Sequence, residues 1–227
     1  METDLSVDID DYMDKFVKGI KEAFHNRVEF IGLQGSRSRN EHTPESDIDT
    51  VVILDRLNID DLIIYDRVIS SLMHRDKACG FISGRKELIN WEKSELFQFY
   101  HDTVPYYGNM NFILVLIKSK DIKRSMLTGA CAIYHMCCHN FIHEKDKGIL
   151  LSLLKSASIV IQAKHYCKSG EYIKDKYELA ETLDGLDREI MEIYILSRAE
   201  GTGAVDLYET SDKLMRFSAE IINSIVL

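Results

Sequence analysis

The chain has 227 residues, 45% apolar and 29% charged, and its 37 acids against 28 bases give a formal charge of −9. That composition excludes a disordered chain, which could not bury enough apolar surface to offset its ordering entropy. The acidic balance excludes a diffuse nucleic-acid binder, whose affinity comes from neutralising phosphates. The longest apolar runs, such as Phe112 to Ile117, fall well short of the roughly 20 residues that a membrane span needs. Met1-Glu2-Thr3-Asp4 is acidic where a signal peptide is basic, and five cysteines without a repeated spacing read as reduced thiols of a cytoplasmic protein.

In chain order, Ile9, Tyr12, Met13, Phe16, Val17, Ile20, Ala23 and Phe24 recur at helical spacing. Val28–Leu33 reads as a strand ending at Gln34-Gly35-Ser36, and Ile48–Leu54 as a second. Asp60–Met73 is an amphipathic helix and Ala78–Ser83 a short third strand before Gly84. Asn111–Ile117 fits either a strand or a helix. After Lys118 the texture becomes helical, over 122–143, 148–168, 177–183, 188–199 and 205–226, with breaks around Gly148, Gly170, Gly185 and Gly201–Gly203. The expected fold class is α+β: an α/β domain with a mixed sheet over residues 1–118, then a helical bundle over 119–227. A cleft between two such halves is a common place for a ligand.

The stretch Phe30 to Asp55, FIGLQGSRSRNEHTPESDIDTVVILD, carries the chemistry. Asp47 and Asp49 stand two apart at the head of a strand, so both carboxylates leave one face. Aspartate is disfavoured in strands, and two like charges at that spacing repel. A divalent cation between them removes both objections. Mg²⁺ takes one or two carboxylates and completes its sphere with phosphate oxygens. Gly35 allows close backbone approach, and Ser36 reads as a helix N-cap whose following amides face an anion. Arg37 and Arg39 add positive charge suited to phosphate.

This segment resembles the nucleotidyltransferase superfamily typified by DNA polymerase beta. Its signature is a Gly-Ser turn, a spacer of about ten residues, and an Asp-x-Asp pair entering a strand. Gly35, Ser36, Asp47 and Asp49 match it, as do Ser46 before the pair and Val51-Val52-Ile53 after it. Arg39 falls where small members often carry an arginine. The second half is similar in rhythm to the helical domain of aminoglycoside-type adenylyltransferases: a helix to Gly170, then Tyr172-Ile173-Lys174 and Lys176-Tyr177-Glu178-Leu179. Leu88-Ile89-Asn90-Trp91 and Leu96-Phe97-Gln98-Phe99 resemble a segment after their third strand.

The resemblance implies transfer of AMP from ATP, with one or two Mg²⁺ ions, to a hydroxyl of a small molecule such as an aminoglycoside-like antibiotic. Asp47 and Asp49 would be catalytic metal ligands. Gly35, Ser36, Arg37 and Arg39 would hold the nucleotide, with Lys174 and Lys176 as further candidates. The superfamily's third carboxylate is missing: the alignment puts Cys79 in its place. Asp76 could serve if the strand register shifts, and Glu87, Glu92 and Asp102 follow the strand. That gap supports one alternative, a nucleotide-binding regulatory module with weak or no turnover; a second alternative is a protein adenylyltransferase of a toxin–antitoxin pair. His135, Cys138, His139 and His143 share a helix face and could suggest zinc. Ordinary packing of that helix is the preferred reading, since closed zinc sites draw on two separated ligand pairs.

Overall fold

The computed structural model describes residues 7–39 and 41–225. The acidic start at Met1–Asp4 lies outside them. The chain divides into two compact units, Met1–Leu116 and Ile117–Leu227.

The first unit opens with α1 (Ile9–Phe24). Asp8 caps it, its carboxylate accepting the amides of Asp10 and Asp11. There follow β1 (Val28–Gln34), α2 (Gly35–Ser38), β2 (Ile48–Leu54), α3 (Ile59–Ser70) and β3 (Ala78–Gly84). The unit closes with α4 (Arg85–Asn90), α5 (Lys93–Asp102), β4 (Val104–Gly108) and α6 (Asn111–Leu114). The sheet order is β3-β2-β1-β4. β1 runs antiparallel to β2 and β4, whereas β2 and β3 are parallel, joined through α3.

Strand alternation builds two cores. Ile31, Leu33, Ile48, Val52 and Leu54 meet Met13, Phe16 and Ile20 of α1 and Ile69 of α3. On the other face Phe30, Val51 and Ile53 are buried, and the Phe81 ring meets Trp91 and Phe99 edge-on. β2 is therefore covered on both faces, which explains its unbroken apolar run. Each such side chain contributes about 1.5–3 kcal/mol on burial.

Three elements escape the hydrophobic pattern. α4 and α5 are short, and β4 holds Pro105 on an edge strand, where a missing donor is tolerated. Asn111–Leu114 resolves as one helical turn.

The second unit is helical: α7 (Ser119–His139), a π-helical turn at Asn140–Glu144, α8 (Lys147–Ser169), α9 (Lys176–Thr182), α10 (Gly185–Glu200) and α11 (Leu207–Ser224). Leu150, Leu154, Ala157 and Ile161 of α8 are fully buried, as are Leu214 and Phe217 of α11. α8 stops at Gly170, whose φ of 78° closes the helix. The buried Asn140 side chain donates to the Asp146 carbonyl and accepts its amide, holding the π turn. Among the described residues no helix is long and apolar enough to cross a membrane.

Candidate active site

The site forms at the head of the sheet, where β1 ends and β2 begins. Gln34 pairs with Asp49 on one side, and Asp49 pairs with Cys79 on the other. Paired positions share a face, so Gln34, Asp49 and Cys79 stand in one row across three strands. The chain then turns through Gly35 at φ 73°, a conformation that suits glycine. A Cβ there would lie 2.0 Å from Asp49 Oδ2. The carboxylate thus rests against the Gly35 α-carbon, and any side chain would displace it.

The helix start differs from the expected one. α2 begins at Gly35 with Gln34 as its N-cap, so Ser36 lies inside the turn and does not cap it. The Ser36 carbonyl accepts the amides of Arg39 and Glu41, tightening the turn's exit. The cause is Gly35's left-handed φ, which lets the backbone reverse one residue earlier than a serine cap would.

Both arginines have partners inside the first unit. Arg37 is 4% exposed. Its Nη2 donates to the Ser46 carbonyl at 2.7 Å, and its Nε reaches the carbonyls of Ser46 and Asp47 at 3.2 and 3.1 Å. Burial lowers its pKa from the usual guanidinium value, and the charges of Asp47 and Asp49 oppose that shift. Arg39 binds Glu41 at 3.0 Å and Asp102 at 3.2 Å.

The C-terminal end of α5 fastens the turn from the other side. Gln34 Nε2 donates to the Phe99 carbonyl at 3.0 Å and to Thr103 Oγ1 at 2.6 Å. Ser38 Oγ donates to the Asp102 carbonyl at 3.2 Å. Gln34, Ser38 and Thr103 were not singled out in the sequence. Gln34 and Ser38 flank the Gly-Ser pair, which is the one local signal that could have marked them.

The strand register brings Cys79, not Asp76, level with Asp49. Asp76 lies before β3 in a 3₁₀ turn, Arg75–Lys77, and is exposed. Thr50 Oγ1 donates to the Cys79 carbonyl at 3.2 Å, and Gly80 packs so closely that a Cβ would lie 2.0 Å from the Thr50 carbonyl oxygen. Glu87 stands near Gly84, Arg56 and Leu57, at the opposite end of the sheet. Among the described residues no group of three His, Cys, Asp or Glu side chains could hold a metal. The head of the sheet thus offers the two carboxylates of Asp47 and Asp49. That donor set fits Mg²⁺, which takes only one or two carboxylates when phosphate oxygens complete its shell.

The remaining candidates lie in the helical unit. Lys176 is 4% exposed at the first position of α9, behind the Asp175 cap. Lys174 precedes it, its carbonyl accepting Gln162 Nε2 at 3.2 Å. His135, His139 and His143 line one exposed stripe, with ring centroids 6.4 and 4.9 Å apart. Cys137 is buried instead, its thiol donating to the Ser211 carbonyl.

Residues 13–123 match the family described as "Nucleotidyltransferase domain". No curated protein matches the chain by sequence. Among solved structures, the chain is similar to the crystal structure of spectinomycin adenyltransferase AAD(9) from Enterococcus faecialis with ATP and spectinomycin. The likeness covers 94% of this chain and 97% of that one, with a TM-score of 0.53 and 14% identity, and at that identity it is a likeness of fold. Residues 13–123, just under half of the chain, thus match the model of a nucleotidyltransferase domain, and the chain as a whole has an α+β nucleotidyltransferase fold similar to that of spectinomycin adenyltransferase.

Proposed function

We propose that the chain transfers AMP from ATP to a hydroxyl of a small molecule, with Asp47 and Asp49 as ligands of Mg²⁺. The observation that carries this reading is the Asp49 carboxylate set against positive-φ Gly35, beside the Arg37-held start of β2. Bound there, Mg²⁺ would neutralise phosphate charge. The chain's own part is to hold and align the nucleotide. Gly35 presents bare backbone to the triphosphate, and Ser36 adds a hydroxyl and amide beside it. The acidic balance of 37 to 28 suits a cationic acceptor such as an aminosugar. The similar fold solved with ATP and spectinomycin supports the same acceptor class.

Cys79 opposite Asp49 favours a second reading, a nucleotide-binding module with little or no turnover. A positioned base typically contributes about 10²- to 10⁴-fold in rate, and a thiol replaces the carboxylate here. The two readings part in one assay. With [α-³²P]ATP, Mg²⁺ and a panel of aminoglycosides and aminocyclitols, transfer yields labelled acceptor and an equal amount of pyrophosphate. Saturable ATP binding with neither product selects the module, and no binding removes both.

A further inference from the structure

We infer that Arg37 is a positioning residue that fixes Asp47 for the cation and does not contact the nucleotide. This rests on the metal role proposed for Asp47 and Asp49. The two aspartates are held by different means. Asp49 lies within β2, with ladder partners on both sides in Gln34 and Cys79. Asp47 precedes the strand, and the registered pairs begin only at Ile48. The sheet therefore fixes Asp49 but leaves the backbone of Asp47 to be fixed otherwise.

The loop before it is a tight turn. Thr43 donates its amide to Ser46 Oγ, and the Ser46 amide donates to the Thr43 carbonyl. Lys77 donates to the Pro44 carbonyl from the β3 side. Arg37 completes the set by gripping the carbonyls of Ser46 and Asp47, the last two residues before the strand. Its guanidinium is buried, and its Nε and Nη2 find their acceptors inside the protein. To turn Nε or Nη2 to a phosphate it would have to abandon those carbonyls and leave them unsatisfied. The planar fork suits two adjacent carbonyls, and a lysine cannot span them in the same way. Arg37 thus joins the Gly-Ser turn to the aspartate strand, and its charge beside both carboxylates keeps the pair tolerable before the cation arrives.

The test compares wild type, Arg37→Lys and Arg37→Met. Three affinities are measured: for Mn²⁺ alone by electron paramagnetic resonance, for Mn²⁺ with a non-hydrolysable ATP analogue present, and for that analogue in EDTA. Arg37→Lys is expected to weaken both Mn²⁺ affinities about tenfold, within the range for partners that orient metal ligands. Analogue affinity in EDTA should stay within about twofold. The opposite pattern makes Arg37 a phosphate ligand, and unchanged values in all three leave it no role in the site. Either result overturns the inference while the metal reading stands. A wild type that binds neither Mn²⁺ nor analogue removes the metal reading and this inference together.

Wild-type protein gives a check that needs no variant. The Arg37 Nε–H nuclear magnetic resonance signal should stay protected and unmoved when the analogue is added in EDTA. A shift of that signal on addition contradicts the inference.

Discussion

β2 has aspartates near both ends, and the two ends treat them differently. Beyond the tail, Arg27 grips Asp61 with Nη1 at 2.6 Å and Nη2 at 2.9 Å, and Asp55 with Nε at 3.0 Å. Asp61 is buried and also accepts the Asn58 amide, closing a capping box on α3. The Arg27 hydrogen bond holds the Asp61 carboxyl below the usual carboxylate range, and the same contact raises Arg27. At the head, Arg37 lies beside Asp47 and Asp49 but directs its donors to carbonyl oxygens. An arginine near a carboxylate thus has two employments: it neutralises the charge at the tail and arranges the backbone at the head. The tail pair serves the fold, and on the proposed reading the head pair serves a cation.

The sharpest way to break this comparison is to neutralise one aspartate at each end. Asp49→Asn should cost more than about 100-fold in Mg²⁺-dependent ATP affinity, beyond the 10–100-fold typical of losing an outer partner. Its apo stability should hold or rise slightly, because a like-charge repulsion is relieved. Calorimetric titration and apo melting check both halves. An apo variant that melts far lower, with ATP affinity intact, would move Asp49 into the structural class of the tail.

Asp61→Ala should show the reverse. Asp61 is the buried member of a half-buried ion pair and also closes the α3 capping box, so removing it should cost about 2 kcal/mol, readable by urea unfolding. ATP affinity with Mg²⁺ should stay within about twofold, since the change lies at the far end of the strand.

The same pair gives the comparison a pH signature. Asp61 has a depressed pKa when folded, so its contribution is present above the unfolded value of about 3.9. It is lost as pH falls through the lower folded value. The stability gap between wild type and Asp61→Asn should therefore be full at pH 7 and shrink below about pH 4. A gap that stays constant under acid would contradict the Arg27 assignment.

The smallest expected effect concerns Cys79. The residue is exposed, so a carboxylate there escapes most of the burial cost of a strand interior. Cys79→Asp should tighten Mn²⁺ binding a few-fold with ATP analogue present, and Cys79→Asn, its uncharged control, should not. Weaker binding in Cys79→Asp would mean that the row across the strands does not converge on the cation.

The sequence made the head of the sheet legible because two signals coincide there. Apolar runs at Val28–Leu33 and Ile48–Leu54 mark strands, and an Asp-x-Asp pair at one strand's entry marks something other than packing. The mixed α/β character of the first unit and the helical second unit were readable from the same periodicities. β4 was not, because Pro105 and a half-exposed edge erase the strand pattern. For Arg37 the sequence shows charge but not direction. Its donors meet Ser46 and Asp47 only once the 43–46 turn folds back, a tertiary event with no local mark. Alignment put Cys79 in the place of the third carboxylate, and its level with Asp49 depends on a parallel register that sequence alone could not decide.

The most direct test of the central claim is thermal melting of the wild-type protein with ATP, in Mg²⁺ and in EDTA. A ligand that binds only the folded state at a hundredfold excess over its Kd stabilises by about 2.7 kcal/mol. Two aspartates at the head of an acidic protein should oppose a bare triphosphate, so ATP is expected to raise the melting temperature far more in Mg²⁺ than in EDTA, where only weak binding through amides remains. An equal rise in both would show that amides and basic side chains hold the phosphates without the cation, contradicting the role assigned to Asp47 and Asp49.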